Sequence, residues 1–386
     1  MRAERSEAPL NIAVIGGGIA GASVAYELSA RAEVALFEQE PICGYHSTGR
    51  SAALFTECYG DPVVRRLAIA SRPFLAAPPP GFSDSPLVTP RSLLFVGTAD
   101  QAPALATALE EFRAMVPTVK GVGGEEARAL CPVLDPEVVA GGILEPGAMD
   151  IDVHALHLGY QQAARTRGAR ILTRSPVVNL RLNGGSWTVA TPDGNHEADI
   201  VVNAAGAWAD VVGGMAGTHP IGLVPKRRTA FTFRPPDGFD HRRWPMVIDV
   251  DEHWYFRPEG AHLLASPADE TAMHPCDARH EEADVALAIE RITAVTTMPI
   301  RSIERAWAGL RSFVADHRPV NGWDPEVPGF YWLAAQGGFG IKTAPAMARF
   351  AEGTILDGAP PADLTRAGLS AGALSPARLA TEAEST

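Results

Sequence analysis

The N-terminal part of the chain carries the pattern that most constrains its fold. An apolar strand over residues 11–15 runs into Gly16-Gly17-Gly18-Ile19-Ala20-Gly21, and a helical pattern follows directly. In this G-x-G-x-x-G pattern the first glycine permits a tight turn, and the second lets the backbone approach a pyrophosphate. The third glycine allows the helix to pack closely on the strand. The unpaired N–H groups at the helix N-terminus favour phosphate groups.

A second apolar strand, residues 34–37, ends in Glu38, which lies 22 residues after Gly16. This spacing is typical of a carboxylate that binds ribose hydroxyls. A G-x-G-x-x-G alone is a weak signal, and a glycine-rich turn that binds nothing is the alternative. Because strand, helix, second strand and acid are all present here, the sequence predicts a dinucleotide-binding site.

Composition and charge exclude several classes of protein. The 386 residues exceed the size at which one hydrophobic core usually suffices, so we expect two domains. The net charge of −12 disfavours nucleic acid and an anionic membrane surface as partners. No apolar run reaches about 18 residues, so no membrane span is expected.

Cysteine and histidine spacing gives no metal site. Cys43, Cys58, Cys131 and Cys276 form no C-x-x-C pair, which favours reduced cysteines in a cytoplasmic enzyme. His154 and His157 lie three apart on an expected helix, but no third ligand is visible, so we predict no metal there. The first seven residues mix both charges, which argues against a signal peptide.

The later patterns predict a parallel sheet together with an antiparallel part. The apolar strand at 199–203 leads into small residues that include Gly206, which suits a buried strand end beside a bound cofactor. A strand at 330–334, a glycine-rich turn and a helix from Thr343 form a second strand–glycine–helix unit. Short alternating runs indicate antiparallel strands; they lie at 229–233, 246–250, 253–257 and 262–266, with a turn at 258–260.

Five ordered motifs carry a resemblance to a known family. The first is Gly44-Tyr45-His46-Ser47-Thr48-Gly49-Arg50-Ser51-Ala52-Ala53, and the others are residues 202–208, 225–228, 307–316 and 334–341. Together they resemble the D-amino-acid oxidase superfamily of FAD flavoproteins, and within it most of all the D-arginine dehydrogenases. The similarity runs from about Ile12 to Leu379.

The resemblance implies the α/β fold class, with a Rossmann-like FAD-binding domain interleaved with an antiparallel α+β substrate domain. The FAD-binding domain would comprise residues 1–80, 150–220 and 308–386. The substrate-binding domain would comprise residues 81–149 and 221–307. FAD would be bound non-covalently, because Arg311-Ser312-Phe313 has no cysteine where the sarcosine oxidases attach theirs.

Cofactor-binding roles transfer by position from the resemblance. Glu38 would bind the adenosine ribose, and the backbone of Val177 would contact adenine. Lys342 departs from the D-arginine dehydrogenases, which have a neutral amide there, whereas sarcosine oxidases have a lysine. The other expected positions are Gly16, Gly18, Ala20 and Gly21 for the pyrophosphate; Ser47, Thr48, Ser51 and Ala52 for the phosphates and ring; and Gly338, Gly340 and Ile341 beside Lys342 at the pyrimidine end of the ring.

The expected catalytic set is Tyr59, Arg228, Tyr255, Arg311 and Gly338. Both arginines match positions that bind the substrate carboxylate in the relatives, and both tyrosines match hydroxyls near it. Independently, a buried amino acid needs its carboxylate neutralised, which arginine does bidentately. Arg228 also fits a solvated run of basic residues, whereas Arg311 stands among apolar neighbours, where an unpaired charge is costly.

The expected side-chain pocket departs from the D-arginine pattern. Leu93 stands where that enzyme has the glutamate that recognises a guanidinium, and Leu54 replaces a histidine. Met246 and Ile248 add apolar wall. A cationic side chain would lack a partner there, so we expect D-arginine to be a poor substrate and apolar D-amino acids to be better. Glu252, near an expected lid, is the residue that could still serve a basic substrate.

The expected reaction is oxidative deamination by hydride transfer from the substrate Cα to flavin N5. The resulting imino acid would hydrolyse to a 2-oxo acid and ammonia. His46 is a candidate base, but we reject it because its position in the family lies on the cofactor-facing loop. Residues 261–265 lack the lysine that sarcosine oxidases use to activate oxygen. This favours a dehydrogenase that uses a quinone or other acceptor, although some oxidases of the superfamily also lack that lysine.

Other functions stay open at this point. The substrate could be a secondary amine or N-methyl amino acid in a specialised pathway, or a 2-hydroxy acid. The chain could also be a flavin-binding structural subunit without chemistry, although the retained tyrosines and arginines argue against this. The acidic composition and the lack of a heptad seam make a monomer or loose dimer the default expectation.

Overall fold

The computed structural model describes residues 9–379. The first seven residues, on which the signal-peptide expectation depends, lie outside this range. The strands are β1 (Asn11–Ile15), β2 (Glu33–Phe37), β3 (Leu54–Phe55), β4 (Val88–Pro90), β5 (Leu93–Gly97), β6 (Lys120–Gly123), β7 (Gly141–Glu145), β8 (Met149–Ile151), β9 (Arg170–Leu172), β10 (Asn179–Asn183), β11 (Ser186–Thr191), β12 (Gly194–Ala198), β13 (Ile200–Asn203), β14 (Val224–Phe233), β15 (Met246–Asp249), β16 (Tyr255–Glu259), β17 (His262–Ser266), β18 (Thr271–Ala272), β19 (Arg305–Phe313), β20 (Val320–Trp323) and β21 (Phe330–Ala334).

The helices alternate with these strands mainly in the N-terminal and C-terminal parts of the chain. They are α1 (Ile19–Leu28), α2 (Pro62–Ala76), α3 (Ala102–Met115), α4 (Gly124–Leu130), α5 (Val153–Thr166), α6 (Ala209–Ala216), α7 (Glu282–Thr293), α8 (Gly340–Leu356), α9 (Ala362–Arg366) and α10 (Ala371–Leu374). Within residues 9–379, no helix combines the length and the apolar character that crossing a bilayer requires.

The first sheet has the strand order β20-β21-β13-β1-β2-β9 and is parallel except for the edge strand β20. Its central strands are apolar on both faces because both faces are covered. Val14 packs in one core with α1, α5 and α8. Ala13 and Ile15, which point the other way, pack with the three-stranded sheet β10-β11-β12 and with α6. The parallel α/β fold class is therefore confirmed.

The second large sheet has nine strands in the order β18-β14-β17-β16-β15-β5-β7-β6, with β19 also paired to β14. The expectation of an antiparallel sheet needs one correction, because β15 runs parallel to β5, with Met246 opposite Leu93. These two strands are far apart in sequence, so no hairpin forces them to be antiparallel. The domain boundaries given above stay a prediction.

Several expected element boundaries shift, among them the start of β14, which lies at Val224 and not at residue 229. The strand expected from His253 begins at Tyr255, because residues 250–253 form a turn in which Glu252 has a φ of 60°. Strand β16 continues through Glu259, which moves the turn to Gly260. Helix α8 begins at Gly340 rather than at Thr343, so its first turn contains Lys342.

Candidate active site

One continuous cavity lies where the carboxyl ends of β1, β13 and β21 face the second sheet. It is lined by all of the predicted cofactor, catalytic and pocket residues except Gly21. The site therefore assembles residues that are up to about three hundred positions apart in the sequence. The cavity-lining residues that the sequence analysis did not propose for a role include Gln39, Tyr45, Arg50, Trp208 and Gln336.

The glycine-rich turn has the geometry that the sequence predicts. Gly16 has a φ of 104°, and a Cβ on it would lie 2.4 Å from the carbonyl oxygen of Ala204. Gly21 does not face the cavity, because it lies beneath the turn, where a Cβ would come within 1.8 Å of the Gly16 carbonyl oxygen. Its role is to let α1 pack against the turn, as the motif requires. Thr48 supports the same turn, since its hydroxyl accepts the Ile19 N–H at 3.0 Å.

Glu38 lies at the end of β2 beside this turn. Its carboxylate accepts the N–H groups of Gly17 and Glu40, each at 2.8 Å. Burial raises its pKa, and the two backbone donors oppose that effect. A carboxylate accepts about four hydrogen bonds, so capacity remains for ribose hydroxyls in the cavity that Glu38 lines.

Two buried polar atoms at the cavity make no hydrogen bond within residues 9–379, and they test whether a polar cofactor fits there. They are Nδ1 of His46 and Nε2 of Gln336. Buried polar groups in native proteins are almost always hydrogen-bonded, so these atoms indicate a polar ligand in the cavity. The other ring nitrogen of His46 lies 3.0 Å from a Glu40 carboxylate oxygen, two residues from Glu38. His46 therefore lies on the same side of the cavity as Glu38, and its rejection as a base stays a prediction.

One histidine of the expected pair, His157, contacts the glycine-rich turn. His157 is buried, and its Nε2 lies 2.9 Å from the carbonyl oxygen of Gly17. Burial lowers the pKa of His157, which favours the neutral ring. Within the described residues, the one group with metal-like spacing is Asp249, Asp251 and His253, where Gln101 donates to both carboxylates.

Arg311 reaches the cavity from β19. Its guanidinium forms no ion pair among residues 9–379, and its one side-chain hydrogen bond is a long contact of 3.5 Å from Nη1 to the Tyr59 hydroxyl. Gly338 makes this placement possible, because a Cβ there would lie 2.7 Å from Cζ of Arg311. Burial raises the pKa of Tyr59, so this tyrosine keeps its proton and can donate it in a hydrogen bond.

Arg228 lies on the neighbouring strand β14, opposite Gly309 of β19. Unlike Arg311, it is already engaged: Nε donates to the Asp269 carbonyl oxygen at 2.8 Å, and Nη2 pairs with Glu270 at 3.1 Å. Burial, and then the positive charge of Arg311, lower the pKa of Arg228. The partner Glu270 was missed, because the residues around it carry no motif.

Four apolar side chains form the remaining wall. Met246 and Ile248 alternate on β15 and so share one face. Leu93 lies beside Met246 on β5, and Tyr255 lies opposite Ile248 on β16. Leu54 contributes from β3, and each of these leucine, methionine and isoleucine side chains is buried. Glu252 is not part of this lining; its carboxylate interacts with Tyr59 from the turn before β16.

Lys342 is buried in the first turn of α8 and lines the cavity. Its Nζ donates to the carbonyl oxygens of Thr56 at 2.9 Å and Tyr59 at 2.7 Å. Burial lowers the pKa of Lys342 to about 7. Lys342, which the resemblance expects at the cofactor, therefore also holds the segment that carries Tyr59 through two hydrogen bonds to its backbone. The sequence position of Lys342 did not reveal these contacts.

Comparison with known proteins places this geometry in a family. Human mitochondrial dimethylglycine dehydrogenase is 30% identical over 259 residues, which cover 62% of this chain but 30% of that protein. Thus the chain spans less than a third of the length of that relative. Glycine oxidase of Geobacillus kaustophilus is 25% identical over 349 residues, covering 87% of this chain and 90% of the relative.

Solved structures agree on the fold. L-proline dehydrogenase from P. horikoshii superposes with a TM-score of 0.85 at 23% identity, covering 97% of this chain and 99% of that chain. None of these three proteins is a D-arginine dehydrogenase, so the finer resemblance stays a prediction. The model of the DAO family, described as FAD dependent oxidoreductase, matches residues 11–352. The chain therefore belongs to the DAO family of FAD-dependent oxidoreductases, and FAD is its cofactor.

Proposed function

We propose that this protein oxidises α-amino acids with apolar side chains, and that its substrates are the D-enantiomers. The observation that carries the proposal is Arg311, a half-buried cation at the wall of the cofactor cavity that forms no ion pair among residues 9–379. An unpaired charge at a buried site is costly unless a ligand completes it. A substrate carboxylate is the anion that arginine recognises best, through two parallel N–H donors.

The surrounding donors support a carboxylate at this position. The Tyr59 hydroxyl lies next to Arg311, and Tyr255 lines the same cavity. Arg228 keeps Nη1 without a hydrogen-bond partner in the described part of the chain, while Glu270 neutralises the other side of its guanidinium. Within the described residues, Arg311 is a cation without an ion pair, and Tyr59 and Tyr255 each add one hydroxyl. This set suits a ligand with a single carboxylate better than a ligand with two negative charges.

The apolar wall supports an apolar side chain on the substrate. Leu54, Leu93, Met246 and Ile248 offer no hydrogen-bond acceptor to a guanidinium or ammonium group. Placing a cation there leaves it desolvated and unpaired, which costs roughly several kcal/mol. We therefore propose that D-leucine and D-methionine are better substrates than D-arginine.

FAD, when bound, supplies the acceptor for the hydride that leaves the substrate Cα. The chain's own residues orient the substrate. Arg311 and Tyr59 hold its carboxylate, and the apolar wall holds its side chain and excludes water. These contacts fix the Cα–H bond in one direction, and such positioning is a large part of catalysis. The proposal needs no strong base if the substrate amine loses its proton to water.

We further propose a dehydrogenase that passes electrons to a quinone or similar acceptor, acting as a monomer or loose dimer. The support for a dehydrogenase is strand β17 (His262–Ser266), which contains no lysine at the positions where the resemblance expects an oxygen-activating one. N-alkylated glycines form the second candidate class. Their support is the 30% identity to a dimethylglycine dehydrogenase, together with the resemblance of the whole chain to a glycine oxidase.

Steady-state assays with an artificial dye acceptor, and with oxygen alone, test these proposals. The substrates to compare are D-leucine, D-methionine, D-arginine, their L-enantiomers, sarcosine and dimethylglycine. Ammonia release with the apolar D-amino acids supports the first class. Formaldehyde release from sarcosine, without turnover of D-leucine, contradicts it and supports the second class.

A further inference from the structure

We infer that Glu145, far from any motif, is a positioning residue for Tyr59. Glu145 ends strand β7 and is fully buried, with 0% of its surface exposed. A buried carboxylate is expensive unless several donors satisfy it. Its donors all come from one short segment, residues 56–58, which leads directly to Tyr59. The inference rests on the proposed function, in which Tyr59 helps bind the substrate carboxylate.

Two donors of that segment are satisfied by Glu145. Its two oxygens accept the Thr56 hydroxyl at 2.5 Å and the Glu57 N–H at 2.8 Å. The Thr56 hydroxyl in turn accepts the Cys58 N–H at 3.1 Å. This arrangement holds the backbone of the segment from the side of the second sheet, where Glu145 lies opposite Leu93 of the apolar wall.

Lys342 satisfies two backbone carbonyl oxygens in the same segment and directly after it. As described above, its ammonium donates to the carbonyl oxygens of Thr56 and Tyr59 from α8. The segment therefore lies between a buried anion on the second sheet and a buried cation on the nucleotide-binding side. Glu145 and Lys342 form no direct ion pair, although the charge of Glu145 acts on Lys342.

A short irregular segment has no regular backbone hydrogen bonds of a helix or sheet to hold it in place. After β3 ends at Phe55, residues 56–60 form neither helix nor strand, so their peptide groups depend on side chains for hydrogen bonds. Glu145 and Lys342 supply these bonds from opposite sides. Such support fixes the direction in which Tyr59 leaves the backbone, and the Tyr59 hydroxyl then meets Arg311.

The geometry points to a specific result for Glu145→Gln, which keeps the size of the side chain but removes its charge. The test uses the FAD-loaded protein and titrates it with benzoate, a carboxylate that cannot be oxidised, while the flavin absorption spectrum reports binding. We expect the Kd for benzoate to rise about five- to tenfold, the effect of one ordinary hydrogen bond. The flavin content per chain should stay unchanged. Glu304→Gln, at a surface pair with Arg234, is the matched control and should leave the Kd unchanged.

A double-mutant cycle with Tyr59→Phe separates positioning from a general loss of structure. If Glu145 acts through the Tyr59 hydroxyl, Glu145→Gln should not change the Kd further once Tyr59→Phe is present. The inference is overturned if Glu145→Gln raises the Kd for benzoate equally in the wild-type and Tyr59→Phe backgrounds. It is also overturned if Glu145→Gln leaves the Kd unchanged in the wild-type background. Should Glu145→Gln fail to fold, Thr56→Val removes the hydroxyl that links the carboxylate to the segment, and the same two outcomes apply.

Failure of the proposed function looks different from failure of this inference. If the wild-type protein neither binds benzoate nor oxidises any amino acid, the carboxylate site itself is wrong, and the role of Glu145 falls with it. If the wild-type protein binds benzoate and Glu145→Gln binds it equally well, only the positioning role is wrong. Hydrogen exchange of a peptide spanning residues 54–60 gives a readout without turnover, and we expect faster exchange in Glu145→Gln.

Discussion

Replacing Arg311 with methionine should lower activity and raise stability at the same time. In the wild-type protein, the guanidinium forms no ion pair within residues 9–379 and contacts only a hydroxyl at 3.5 Å. Methionine fills a similar length without charge, so the cost of holding a half-buried cation without an ion pair disappears. We expect the free energy of unfolding to rise by roughly 1–2 kcal/mol, as for other substitutions that relieve a strained functional site.

The effect on catalysis should have the opposite sign and be larger. Removing one partner from a buried, hydrogen-bonded charge pair costs about 2–5 kcal/mol, and Arg228 remains nearby to compensate in part. We therefore expect kcat/KM for D-leucine to fall about 10²–10³-fold. Most of the loss should appear in KM, because the carboxylate contact exists in both the ground state and the transition state.

Two measurements on the same samples check this prediction: dye reduction with D-leucine, and thermal unfolding followed by circular dichroism. Arg234→Met serves as the control, because Arg234 is exposed and pairs with Glu304 outside the cavity; its activity should match that of the wild type. A fall in kcat/KM of less than threefold for Arg311→Met refutes the carboxylate role. A fall in activity together with a fall in melting temperature refutes the argument that Arg311 is unpaired before substrate binds.

Four further predictions follow from the same structure. Leu93→Glu should raise kcat/KM for D-arginine at least tenfold relative to D-leucine, since it gives a guanidinium a partner; an unchanged ratio contradicts the pocket assignment. Gly21→Ala should abolish FAD binding, because its Cβ would lie 1.8 Å from the Gly16 carbonyl oxygen. Gly214→Ala, which has open space around it, is the control and should retain FAD. The ratio of visible flavin absorbance to protein absorbance measures the FAD content of both variants. Acid precipitation should leave all flavin in the supernatant, and a yellow pellet would reveal a covalent bond. Because the pKa of Lys342 falls to about 7 on folding, the unfolded chain holds one more proton between about pH 7 and 10. Stability in urea should therefore rise across this window, and Lys342→Met should flatten the slope.

The nucleotide-binding half was predictable because its constraints are local. The turn at Gly16, the packing glycine Gly21 and the acid at Glu38 lie within one strand–helix–strand unit, and each has a single physical reason. The apolar runs of β13 and β21 likewise indicate strands that are buried on both faces. The resemblance added the positions of Arg228 and Arg311, whose convergence on one cavity no spacing rule could show.

What the sequence could not show depends on pairing between distant segments. Glu270 neutralises part of Arg228 from 42 residues away, and Glu145 supports the segment before Tyr59 from across the second sheet. Neither carboxylate belongs to a motif, and the sequence alone does not distinguish a buried, paired glutamate from one on the surface in water. The parallel pairing of β15 with β5 was hidden for the same reason, because strand direction follows from the intervening chain and not from the strands' composition.

The central claim is that the Arg311 cavity binds the carboxylate of an apolar amino acid against FAD. The most direct measurement is anaerobic mixing of the purified yellow protein with D-leucine, D-arginine and sarcosine, while the visible flavin absorbance is followed. We expect rapid bleaching by D-leucine, little bleaching by D-arginine, and bleaching of Arg311→Met by D-leucine that is about 10²–10³-fold slower at the same subsaturating concentration. Equal bleaching by D-leucine and D-arginine, or none by any amino acid, would contradict this claim.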